Sequence, residues 1–125
     1  MATSATPAVL QAPILWQKIV NNGHGTTEQS LGAAGPNGAY AENLIICTGP
    51  ATAPGGTYTV VVKLYDGASV STIIKSFTLV NTVDTEQLNI FLGLNIAANA
   101  EIRVQTRTAL ASGATLDCTL TGRSY

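Results

Sequence analysis

Charge is scarce in this chain. Lysine, arginine, aspartate and glutamate make up 10% of its 125 residues, where an average soluble protein carries roughly 25%. The net charge is -1 and the six cations are dispersed. A phosphate-neutralising surface needs clustered cations, so nucleic acid is not an expected partner. Histidine occurs once, at His24, which excludes a multi-histidine metal site within one chain. Any histidine-based triad would have to use that residue, and no nucleophile motif accompanies it. There is no G-x-S-x-G, no phosphate-binding glycine loop and no C-x-x-C, so neither catalysis nor a cofactor is expected. Long apolar runs are missing too: none approaches the ~20 residues that span a bilayer. The amino terminus has no basic segment, and Pro7 and Pro13 interrupt its apolar part. It therefore does not read as a signal peptide, and synthesis in a cytoplasm is the expectation.

With so little charge, the polar surface must come from Thr, Ser, Asn and Gln. Many β-rich proteins look this way. A sharper reading is that part of the surface is covered by partners, since Lys and Glu are depleted where surface is buried.

What the chain does have is alternation, organised around Asp84 to Ala109. Leu88, Ile90, Leu92, Leu94 and Ile96 fall on every second position, with Gln87, Asn89, Phe91, Gly93 and Asn95 between them. A period of two places these sets on opposite faces of an extended chain. After the turn-prone Ala97-Ala98-Asn99-Ala100, Ile102 and Val104 alternate with Glu101, Arg103, Gln105 and Arg107, as in a hairpin. Tyr58, Val60, Val62 and Leu64 begin another hairpin, turning at Asp66-Gly67. Its returning strand, Ser69 to Val80, shows Ile73, Phe77 and Leu79 on one face with Lys75 among them, a conflict that a bulge or an edge position would resolve. Leu116, Cys118 and Leu120 point inward from a last strand, and Tyr40 to Cys47 forms a short one. The fold expected is all-β: a single antiparallel β-sandwich or jelly roll of about seven to eight strands. Its core is expected from Leu88, Ile90, Leu92, Ile102, Val104, Leu116 and Leu120.

Residues 1–15 read as an extended N-terminal arm and residues 16–125 as the sandwich. The arm is uncharged and holds Val9, Leu10, Ile14 and Leu15, while its two prolines deny it a helix. Contact with another chain is the expectation for these four residues; an edge strand over residues 9–16 is the competing reading. Trp16 either closes the end of the core, the favoured reading, or anchors the arm on a neighbour. From Asn21 to Ala39 five glycines and one proline leave no hydrophobic period, so a long surface loop is expected, and a second one over residues 48–56.

Few residues invite chemistry. His24 and Glu28 could present two ligands, but zinc normally takes three or four. Asp84 and Glu86 with Asn81 nearby could hold calcium, yet no Asp-rich loop of defined spacing is present. Arg103 and Arg107 share an outward face ~13 Å apart, with Lys63 outward on another strand; they read either as a docking face for carboxylates or as solubilising charge. Tyr40, Tyr65 and Phe91 are expected at the surface, thin material for a sugar platform. Cys47 and Cys118 sit in apolar strands, LIICT and LDCTL, and two buried thiols are the favoured reading; a disulfide would require the two strands to face each other at the right separation.

The Ala/Thr/Pro arm, the Gly-rich loop and the run from TYTVVVKLYDG through LNIFLGLNIAANAEIRVQTRTALASGATLDCTLTGRSY together resemble the small virion structural proteins of tailed bacteriophages, most nearly the capsid decoration, or cement, proteins. The resemblance implies a non-enzymatic protein on the capsid surface. It would reinforce the shell beside the major capsid protein as a small homo-oligomer, with a trimer favoured. A receptor- or glycan-binding module of a phage fibre or head spike is the alternative, which exposed aromatics grouped in the Gly-rich loops would favour.

Overall fold

Strand-forming alternation becomes pairing along nearly the whole chain. A computed structural model describes residues 12–125. Eight strands run through it: β1 (Ala12–Asn21), β2 (Gln29–Ala33), β3 (Ala39–Thr48), β4 (Thr59–Tyr65), β5 (Ser71–Thr78), β6 (Glu86–Ile96), β7 (Glu101–Thr106) and β8 (Thr115–Ser124). They form two four-stranded sheets, β1-β8-β3-β6 and β2-β7-β4-β5, in which every pairing is antiparallel. First pairs with last, second with seventh, third with sixth and fourth with fifth. That is one long hairpin folded at its middle and rolled up, and the β3–β8 and β4–β7 ladders close the roll. This order is that of a jelly roll, one way of leaving few strand edges open.

The core lies between the sheets. Leu44, Ile46, Val60, Val62, Ile102, Val104, Leu116 and Leu120 are fully buried there, with Leu88 at 8% exposure. Ile90 and Leu92 are only partly buried because β6 is an edge strand; both still pack against the core. Trp16 packs on it from β1. A Cβ on Gly32 would lie 2.5 Å from the indole ring, so the missing side chain in β2 is what lets Trp16 cover the side where β1 and β2 run close.

Four expectations need correction. Residues 12–15 belong to β1 and pair in register from Ala12↔Ser124 to Leu15↔Thr121; Pro13 is tolerated because β1 is an edge. The rest of the expected arm, with Val9 and Leu10, lies outside the described residues. The stretch expected as one long loop from Asn21 contains a short 3-10 turn (Asn22–His24) and β2. β2 has one large apolar residue, Leu31, so its strand state comes from pairing with β7 rather than from any period of its own. In β5 the register steps from Val62↔Lys75 to Lys63↔Ile73. The extra residue, Ile74, turns to the core, leaving Ile73 outside and 49% exposed; β5 is thus both bulged and an edge. Lastly, Cys118 is buried but Cys47 is half-buried, and both thiols are free. Cys47 pairs with Asp117 and shares its outward direction, whereas Cys118 faces the core.

Candidate functional site

The two outer faces of the sandwich are chemically unlike. On the β2-β7-β4-β5 sheet, Glu28 enters just before β2 and meets Lys63 of β4 at 2.8 Å and Arg103 of β7 at 3.1 Å. Ser71 of β5 donates its hydroxyl to Glu28 Oε1 at 2.9 Å. Arg103 is held further by Glu101 at 2.9 Å and lies 3.6 Å over the Tyr65 ring. The Lys63, Glu28 and Arg103 side chains are 13%, 23% and 24% exposed, so these contacts are shielded from bulk water more than ordinary surface pairs. The Lys63 hydrogen bond is the largest cause holding the Glu28 carboxyl down, to a pKa of about 2, with Ser71 and Arg103 adding and partial burial opposing. One carboxylate therefore ties four strands together across this face.

Arg103 and Arg107, expected to share a docking face, are not equivalent. Arg103 is engaged within the chain, while Arg107 follows the end of β7 and is exposed. Sequence reading missed the role of Glu28. Nothing local signals it, because its partners lie 35 to 75 residues away.

The β1-β8-β3-β6 sheet has an uncharged centre. Register places Leu15, Thr121, Asn43 and Phe91 in one row across its outer face, and Gln17, Thr119, Ile45 and Asn89 in the next. Beyond them come Ile19, Asp117, Cys47 and Glu86. Leu15 is 60%, Ile19 57% and Phe91 67% exposed. Asn43 donates to Asn89 across the strands at 3.2 Å. The two central rows are apolar and amide-rich with no charge; Asp117 and Glu86 lie in the row at one end, and at the other end Arg123 pairs with Glu42 at 3.1 Å beside Tyr40. Phe91 rests beside Gly93, whose φ of 60° and absent Cβ leave space for the ring. Ile14 and Trp16 alternate with Leu15 and point inward, where both pack on the core.

The other chemical candidates do not converge. His24 Nδ1 accepts the Asn21 backbone N–H at 3.1 Å, closing the 3-10 turn. Asn81 accepts from the Gly55 N–H at 2.9 Å, and Glu86 receives the Asn89 amide at 3.4 Å. Among the described residues no group of three His, Cys, Asp or Glu could hold a metal ion. Tyr58 is the aromatic of the loops between strands, and it packs on the core.

The fold has a solved counterpart. The chain is similar in fold to one in the cyanophage Pam1 capsid asymmetric unit, with a TM-score of 0.55 and 14% identity, over 99% of this chain and 94% of that one. At that identity the likeness speaks for the fold alone. No family model and no curated protein matches the chain.

Proposed function

We propose that this chain is a non-enzymatic structural protein of a phage virion that binds the outside of the capsid and stabilises the shell, as a small homo-oligomer with the major capsid protein as partner. The observation that carries this reading is the full-length likeness in fold to a chain of a cyanophage capsid asymmetric unit. The two outer faces of the sandwich agree with it. One outer face is crossed by an ion-pair cluster, and the centre of the other offers exposed apolar and amide groups without charge, the composition of surface that becomes covered. The receptor- or glycan-binding reading gains nothing from the loops, where Tyr58 is turned inward.

The test is co-sedimentation of the purified protein with capsids of its own phage that lack it, followed by heating of the decorated shells. Saturable binding and a raised disruption temperature are expected. No binding to such capsids, together with specific retention on a glycan array, would overturn the reading.

A further inference from the structure

We propose that the outer face of the β1-β8-β3-β6 sheet is where a second copy of this chain docks, face to face about a two-fold axis. The inference deepens the oligomer part of the reading above and needs no capsid.

Three observations choose the occupant. The first is a knob and a groove at opposite margins of one face. Phe91 stands 67% exposed on edge strand β6, and an open groove of about 240 Å³ lies between β1 and β8, lined by Gln17, Lys18, Ile19, Asp117, Cys118 and Thr119. A cavity of ~150 Å³ already accepts a benzene ring. Ile19, which points outward at the groove and is 57% exposed, offers the ring apolar contact. In an isologous contact each partner's knob meets the other's groove, so both are filled by one operation.

The second observation is charge. The charged groups of the face lie at its ends, Asp117 with Glu86 at one and Arg123 with Glu42 at the other, so a partner rich in Lys or Glu would strand its own charges against the uncharged centre of Leu15, Ile45 and Phe91. A charge-poor partner avoids that cost, and this chain is one, at 10% charged residues. The amides and hydroxyls of Gln17, Asn43, Asn89, Thr119 and Thr121 both donate and accept, so they satisfy their own copies across a two-fold.

The third is area. Four strands of about ten residues span roughly 600 Å² in plan, and side-chain relief adds to it. That approaches the ~800 Å² each partner contributes to a standard stable interface. The four strand edges make poorer docking sites: β1 carries Pro13, β2 is five residues long with a register shift, and β5 and β6 have irregular registers beside Lys75 and Gly93.

The experiment uses the full chain alone, by sedimentation equilibrium over a concentration series with circular-dichroism melting in parallel. The wild type is expected to be a dimer. Phe91→Asp should raise its dissociation constant at least tenfold with unchanged melting of the monomer, because the new carboxylate meets Asp117. Adding Asp117→Lys to that variant should recover the dimer, which a merely misfolded chain would not do. Ile73→Asp, on the other outer face, should leave the dimer intact. A monomeric or trimeric wild type would overturn the proposal, as would a dimer indifferent to Phe91→Asp or one lost equally to Ile73→Asp. Capsid binding, measured separately, stands or falls without it.

Discussion

Replacing Glu28 by Gln tests whether one carboxylate fastens the charged face. The substitution keeps shape and removes charge: the one amide oxygen left can accept from Lys63, 13% exposed, or from Arg103 and Ser71, and the other side then faces an NH2 donor instead of an acceptor. A carboxyl held at about 2 against an ordinary 4.5 corresponds to ~3 kcal/mol at ~1.4 kcal/mol per unit. Solvent still reaches the cluster, so screening reduces the net to ~1–2 kcal/mol. The folded-state pKa lies below the unfolded one. This stability is therefore complete above pH ~5 and is lost as pH falls toward the folded value of about 2. Urea unfolding of both proteins from pH 7 to pH 2 reads it directly: Glu28→Gln should be less stable at pH 7, and the two curves should meet near pH 2. Other carboxylates titrate in both proteins, so the difference between the curves isolates Glu28. A constant difference across that range, or none at pH 7, would refute the assignment.

Leu120→Ala, at a fully buried position, should cost ~2–5 kcal/mol in chemical denaturation, whereas Leu92→Ala, half-exposed on edge strand β6, should cost clearly less; equal losses would place Leu92 deeper than described. In a native thiol titration Cys47 should react slowly and Cys118 only on unfolding, because burial pushes the Cys118 thiol up to about 12 while Cys47 is raised less and stays reachable. Deleting residues 1–11 leaves every β1–β8 pair in place, so melting should hold while capsid binding falls; a large drop in melting temperature with binding intact would remove the proposed role of the arm.

How far the sequence reaches depends on the range of the interaction. Alternation is local, and it correctly separated Leu116 and Leu120 from Thr119 and Thr121, because a strand with one wet face must repeat every two residues. The same rule failed at Ile73 and Ile74, where an inserted residue shifts the period, and bulges announce themselves only through a partner's register. It also failed at β2, whose sequence QSLGA carries no pattern and becomes a strand because β7 offers it an open edge. Pairing order is less local still. Nothing near Trp16 says that its strand lies beside Leu120, so a sandwich was legible while the order of its strands was not. Function lies at the far end of this scale. Glu28 was visible as one acid in a glycine-rich stretch, and its meaning depends on Lys63, Ser71 and Arg103 arriving from three other strands. Phe91 was read as outward from its period, yet a solitary exposed ring is ordinary. It becomes a candidate contact only when register sets it on the same face as Leu15, Ile19 and Ile45, opposite a groove large enough to receive it. A face of this kind is assembled from four strands distant in sequence, and for that reason no motif could have carried it.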